Sequence, residues 1–242
     1  MKSRYDDELT MQQGFNLEQE SDSAKHLLSY GVRTLRTAAF IETTRDPIMT
    51  MLSIGVEKLL KLSLGLIHVD DNRRWLPLDV LKNEFRHDLI KMERLLREAI
   101  QERADRATHC YYVDQALTAV ENDPVWPPLV GALNRYGKEG RFYYLDALAE
   151  NPQREESPQS YWEVAERAAL EAEPGLNSLF SRMMSDLSLS DEFYHRLNAR
   201  VADSLERWWD LVAMAAVQGV LGERGKAWGH GIKAVGRQIV GD

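Results

Sequence analysis

The sequence lacks several features that would point to export or to a membrane. It contains one cysteine, Cys110, among 242 residues, so no internal disulfide can form and a reducing cytosol is the expected compartment. Glu57, Lys58 and Lys61 interrupt the longest apolar run, whereas a membrane-spanning helix needs about 20 mostly uncharged residues. Residues 1–20 are polar and acidic and lack the apolar core of a signal peptide. We therefore expect a cytoplasmic protein that does not enter a membrane.

Excess positive charge and alternating strand patterns are also missing. The net charge of -8 argues against a surface that binds nucleic acid over its whole extent, although it leaves room for local basic patches. No segment alternates apolar and polar residues as a half-buried strand would. The chain is long enough to bury a full core, and its 44% apolar content is ordinary. These features predict an all-α protein.

Two apolar-rich segments predict the central helices of this fold. The first runs from about Pro47 to Val69 and is apolar on almost every face, which is typical of a buried central helix. The second runs from about Leu78 to Arg103 and carries an apolar stripe at helical spacing. The residues of the stripe are Leu81, Phe85, Leu89, Met92 and Leu96. We expect these two helices to pair as the spine of a bundle.

The rest of the chain divides into three predicted regions. Residues 1–20 are expected to form a mobile N-terminal arm, residues 21–150 a helical bundle, and residues 158–242 a helical extension packed on it. The proline- and charge-rich stretch Asn151–Ser160 is the predicted connection between them. The other helices are predicted at about Ala24–Thr44, Ala107–Val120, Leu129–Glu150, Tyr161–Glu171, Leu176–Leu187 and Ser190–Leu221. The last of them carries an apolar stripe at helical spacing, formed by Phe193, Leu197, Val201, Leu205, Trp208, Val212 and Ala216.

Short motifs within residues 24–146 resemble the HEPN family of small all-α domains, which is named for nucleotide binding in higher eukaryotes and prokaryotes. The similar segments are Ser53–Leu62, Arg86–Leu89, Asn134–Tyr136 and Arg141–Tyr143. The resemblance implies a HEPN-like bundle extended by additional C-terminal helices. Many members of that family are metal-independent RNases that act as homodimers in toxin–antitoxin or antiviral systems, and others are inactive binding versions. It therefore implies a homodimer, an RNA or nucleotide ligand, an antitoxin-like protein partner and no cofactor.

The family's catalytic pattern is an arginine followed, after four to six residues, by a histidine. Arg103 and His109 match it just after the predicted third helix, and Arg224 and His230 match it again near the C-terminus. An arginine can stabilise phosphate charge and a histidine can transfer protons. By its position, the pair Arg103 and His109 is the candidate catalytic site, although Ala104 stands where the family often has a polar residue.

Two further groups are candidates for nucleotide or RNA binding. Arg86, His87 and Asp88 lie on the predicted third helix, where arginine and lysine side chains could meet phosphates. The other candidates are Arg135, Arg141 and Tyr143, which combine positive charge with an aromatic ring that can stack on a base. The alternative for both groups is a structural role, with the charges solvated and the ring buried.

Two other classes of function remain open from the sequence. Glu84 and His87, like Glu192 and His195, form Glu-x-x-His motifs of the kind that ferritin-like di-metal bundles use together with one glutamate from each of two other helices. Glu42 or Glu57, together with Glu163 or Glu166, could supply these two additional glutamates. The remaining alternative is a non-catalytic helical module that binds a protein partner.

Overall fold

A computed structural model describes residues 9–233, and these residues form helices and turns without a strand. The prediction of an all-α fold is therefore confirmed. Among the described residues, no helix combines the length and the apolarity that a membrane crossing requires. The helices are α1 (Met11–Thr37), α2 (Ile41–Asn72), α3 (Leu89–Glu102), α4 (Cys110–Glu121), α5 (Trp126–Lys138), α6 (Tyr143–Leu148), α7 (Pro158–Ala172), α8 (Pro174–Met183), α9 (Ser190–Val217) and α10 (Glu223–Gly231).

The first helix begins well inside the region that was expected to be a mobile arm. Thr10 caps α1, because its hydroxyl accepts from the backbone N–H of Gln13 while the Gln13 side chain accepts from the backbone N–H of Thr10. Ser21, which precedes the predicted helix Ala24–Thr44, lies in the middle of α1 and donates its hydroxyl to the carbonyl of Leu17. The arm prediction was therefore wrong for residues 11–20, and residues 1–8 lie outside the described part of the chain.

The break between α1 and α2 also differs from the prediction. It lies at residues 38–40, whereas Pro47 is inside α2. A proline this close to a helix start removes one backbone hydrogen bond. Ile41, Arg45 and Ile48 lie on one buried face of the same turns, and their packing keeps this segment helical. No glycine or proline marks residues 38–40, so local sequence could not place the break.

The predicted helix from Leu78 to Arg103 is divided in two. A π-helical turn, Val80–Phe85, is followed by a sharp turn at Arg86, whose backbone has φ 47° and ψ −116°. Asp88 then caps α3 by accepting from the backbone N–H of Lys91 at 3.0 Å. Phe85 and the α3 residues of the predicted apolar stripe are buried although the helix is divided. His87 lies in the turn between the two parts and not on a helix.

The C-terminal helices pack on the bundle. α7 contacts α5, α9 contacts α1 and α4, and α10 contacts α9 and α2. The indole rings of Trp126 in α5 and Trp208 in α9 stack with centroids 4.8 Å apart, and one buried apolar cluster includes residues from both regions. The stripe predicted for α9 is buried along its length. Its members are Phe193, Leu197, Val201, Leu205, Trp208, Val212 and Ala216.

Candidate nucleotide-binding cleft

A cleft of about 430 Å³ opens between α2, the turn before α3 and the end of α5. Its volume lies within the roughly 300–1,000 Å³ of ordinary small-molecule sites. It brings together residues from all four of the segments that resemble the HEPN family, which come from distant parts of the sequence. The lining residues are Thr50, Ser53, Ile54, Glu57, Lys58, His87, Tyr136, Gly137, Arg141 and Phe142.

His87 and Glu57 form a hydrogen-bonded pair at the edge of this cleft. Nδ1 of His87 lies 3.1 Å and 3.0 Å from the two carboxylate oxygens of Glu57. The His87 side chain is 55% exposed, whereas that of Glu57 is 18% exposed. Because an ionised carboxylate only accepts hydrogen bonds, Nδ1 is the nitrogen that donates to Glu57, and Nε2 is not engaged by this pair.

The turn that carries His87 is braced by neighbouring helices. Lys61 in α2 donates to the Arg86 carbonyl at 2.6 Å, and the Asn134 amide oxygen in α5 accepts from the backbone N–H of Leu89 at 2.9 Å. Lys138 in α5 forms an ion pair with Asp88 at 2.7 Å. Partial burial would raise the pKa of Asp88, but the hydrogen bonds from Lys138 and the Lys91 backbone outweigh it and lower that pKa.

One wall of the cleft carries a hydroxyl pair. The Tyr136 hydroxyl lies 2.5 Å from the Thr50 hydroxyl. Burial raises the pKa of Tyr136, and the nearby charge of Asp46 raises it further, although Thr50 opposes the change. The phenol is therefore neutral at physiological pH, and it donates its proton to Thr50, because the Thr50 hydroxyl itself donates to the Asp46 carbonyl at 2.9 Å.

Another part of the cleft lining combines positive charge with an aromatic ring. The Arg141 guanidinium lies 5.1 Å from the ring centroid of Phe142, and Phe142 is 49% exposed. Lys58 lines the same cleft and is ion-paired with Glu20 of α1. The nearby Lys61 neutralises Glu57 through a 2.6 Å ion pair. Both lysines are thus paired with carboxylates, and Arg141 supplies the positive charge of the cleft lining.

The candidate catalytic residues Arg103 and His109 lie outside this cleft. Arg103 is buried, and its guanidinium pairs with Asp70 and, at 2.6 Å, with Asp71. Its Nε donates to the carbonyl of Val220 at 2.8 Å. His109 is exposed and precedes the first turn of α4. Arg103 thus ties the end of α2 to the α9–α10 connection, and each nitrogen of its guanidinium already donates to an oxygen of the protein.

The candidate binding residues divide between the cleft and the loop beside it. His87 and Arg141 line the cleft, and Arg86 and Asp88 flank His87. Arg135 is instead buried, where it donates to the Glu156 carbonyl at 2.9 Å and to the Gln153 side chain at 2.6 Å. Tyr143 packs under Arg135, with the guanidinium 5.8 Å from its ring centroid.

The Glu-x-x-His motifs do not converge. Within residues 9–233 no three histidine, cysteine, aspartate or glutamate side chains lie close enough to hold a metal ion. Glu192 and His195 are exposed on α9, and Glu84 is exposed in the π-helical turn before His87. The structure therefore gives no support to the di-metal alternative.

Several residues of the cleft were not among the predicted binding residues. Lys58, Tyr136 and Phe142 belong to the family-like segments, so the resemblance could have pointed to them, whereas Thr50 carried no sequence signal. Comparisons with protein-family models, with curated proteins and with solved structures found no match to this chain. What the protein does must therefore be inferred from the chemistry of the cleft itself.

Proposed function

We propose that this chain is a HEPN-like protein that binds single-stranded RNA, with one nucleotide unit held in the cleft between α2 and α5. The observation that carries the proposal is the convergence of Lys58, His87, Arg141 and Phe142 on one cleft. Cationic side chains contact phosphates, and an exposed aromatic ring next to them can stack on a base. The resemblance to HEPN domains supports the same ligand class.

Single-stranded RNA fits this site better than a duplex. The aromatic ring and the charges lie inside a cleft of about 430 Å³, which can accept an unstacked nucleotide. Sequence-specific proteins commonly reach RNA bases that are splayed from single-stranded loops and ends. The chain as a whole has a net charge of -8, which repels RNA phosphates. We therefore expect contact with RNA to be limited to this cleft.

Fluorescence anisotropy with a labelled single-stranded 12-nucleotide RNA tests the proposal. Lys58→Gln and Arg141→Gln are each expected to weaken binding about three- to tenfold, and each should reduce the slope of log K against log salt by about 0.7. Lys226→Gln, on α10 and outside the cleft, is the matched control and should bind like the wild type. Equal binding by all four proteins would contradict the proposal, as would no binding by the wild type.

A second candidate function is contact with a protein partner through α6. Phe142, Leu145 and Leu148 recur at a spacing of three, which places them on one helical face, and they are 49%, 61% and 81% exposed. Exposed apolar patches often mark protein contacts. For this candidate we propose a second copy of the chain as the occupant. Light scattering would then show a dimer for the wild type and a monomer for Leu145→Glu, and a monomeric wild type would contradict it.

A further inference from the structure

We infer that a second cavity, next to the cleft, binds a small zwitterion of the class of free α-amino acids. This cavity has a volume of about 100 Å³ and is bounded by α2, α7 and the segment that joins α5 to α6. Arg45 of α2 is its most important residue, so we call it the Arg45 cavity. It shares Tyr136 and Arg141 with the cleft, but the inference goes beyond the proposed RNA binding and does not rest on it.

The first support is a buried guanidinium with unused donors. The Arg45 side chain is only 7% exposed, and its Nε is buried without a hydrogen-bond partner among residues 9–233. Glu166 forms a loose ion pair with Nη2 at 3.7 Å, which is longer than a hydrogen bond. A guanidinium has five N–H donors, and buried donors are nearly always satisfied. Arg45 therefore calls for an acceptor that enters the cavity from solution.

The second support is another guanidinium on the same cavity. Arg141 lines the cavity and contacts the ring of Phe142, but it forms no ion pair with a carboxylate in the described range 9–233. Guanidinium groups bind carboxylates well, because their planar N–H groups match the two oxygens. The Arg45 cavity can thus offer two cationic side chains to one carboxylate.

The third support is a pair of carboxylates on the same cavity. Glu42 and Asp46 lie about one turn apart on α2, and both are exposed, whereas Arg45 is buried. In the part of the chain that the structure describes, neither of them forms an ion pair with Arg45 or Arg141. Two positive and two negative side chains thus line a small volume without neutralising one another.

These charges select the class of ligand. Glu42 and Asp46 would repel a phosphate dianion, and the two guanidiniums would repel a metal ion or a simple amine. A free amino acid carries both charges at neutral pH, so its carboxylate can bind the arginines while its ammonium group binds the acidic side chains. The volume of about 100 Å³ is below the roughly 300–1,000 Å³ of ordinary small-molecule sites. We therefore expect an amino acid with a small side chain, such as glycine or alanine.

An NMR titration of the full chain with glycine at neutral pH tests the inference. The reporter is the side-chain Nε–H signal of Arg45, which is identified by its absence from the Arg45→Lys spectrum. Glycine should shift this signal until the site is saturated. Acetate, methylamine and inorganic phosphate are the comparison ligands, because each carries charge of one sign only. Each of them should bind at least about tenfold more weakly than glycine, since each lacks one set of charge-assisted hydrogen bonds.

Exposed residues of the cavity supply variants that are expected to fold. Glu42→Gln, Asp46→Asn and Arg141→Gln each remove one charge from the lining, and each should weaken glycine binding about three- to tenfold. Arg182→Gln, an exposed position on α8 outside the cavity, is the matched control and should bind glycine like the wild type.

Three results would overturn the inference. No shift with glycine would mean that the Arg45 cavity holds only water. Binding of acetate, methylamine or phosphate as tight as that of glycine would show that the site does not select a zwitterion. Unchanged glycine binding by all three charge variants would place glycine outside the cavity. None of these results affects the RNA proposal, because the titration contains no RNA.

Discussion

Gly55 of α2 lies directly against Leu28 of α1. A β-carbon at Gly55 would lie 2.9 Å from Cγ of Leu28 and 3.2 Å from its backbone nitrogen. The contact is nearly reciprocal, because a β-carbon at Gly31 of α1 would lie 2.4 Å from Cδ2 of Leu52 in α2. Two glycines thus allow the two longest helices of the first hundred residues to approach closely.

Gly55→Ala is therefore expected to destabilise the protein by about 1–3 kcal/mol, because the added methyl group overpacks the crossing. Gly131→Ala in α5 is the matched control, since a β-carbon there meets no atom within 4 Å. That variant should be stabilised by about 0.5–1 kcal/mol through the better helix propensity of alanine. Urea unfolding measures both, and equal stability of the two variants would show that the crossing is not tightly packed.

Replacing Arg103 should affect stability, whereas replacing His109 should not. Arg103→Met removes the buried cation from Asp70 and Asp71 and leaves them paired with the exposed Arg106, so roughly 2–4 kcal/mol of the free energy of unfolding should be lost. His109→Ala changes an exposed side chain and should stay within about 0.5 kcal/mol of the wild type. A stable Arg103→Met protein that has lost RNA cleavage would instead support the catalytic assignment made from the sequence pattern.

Asp123 is expected to make stability depend on acid pH. Burial would raise the pKa of Asp123, but hydrogen bonds from Arg200 and the Val125 backbone outweigh it and lower that pKa. A carboxyl with a lowered folded-state pKa contributes stability that is fully present above its unfolded pKa of 3.8 and is lost as the pH falls through the folded-state value.

The measurement is urea unfolding of the wild type and of Asp123→Asn between pH 7 and pH 2. The variant should be less stable at pH 7, and the difference should shrink as the pH falls from 3.8 towards the lower folded-state pKa, because the Asp123 carboxyl becomes neutral over that range. A difference that stays constant over this range would contradict the proposed linkage.

Arg86→Gly should stabilise the protein by about 1 kcal/mol, since glycine relieves a strained backbone at the cost of some chain entropy. Arg86→Ala removes the same charge but keeps the β-carbon, so its free energy of unfolding should stay near that of the wild type. Thermal and urea unfolding of the two variants compare the backbone effect with the charge effect. Equal stability of Arg86→Gly and Arg86→Ala would mean that the turn is not strained.

The sequence by itself determined the features that depend on local spacing. Helical periodicity identified the buried stripe of α9 from Phe193 to Ala216 and excluded strands, because which residues share a helix face follows from 3.6 residues per turn. The motif resemblance also singled out His87 and Arg141, both of which line the cleft.

Only the tertiary structure decided where the helices break and which charges meet. The turn at Arg86 depends on Lys61 and on Asn134, which come from two other helices, and no local pattern encodes those contacts. The sequence spacing of Arg103 and His109 suggested a catalytic site. In the fold, the Arg103 guanidinium instead binds the aspartates at the end of α2 and the carbonyl of Val220. Glu57 meets His87 across 30 residues, and pairings of this kind arise from how helices pack, a property of the whole folded chain.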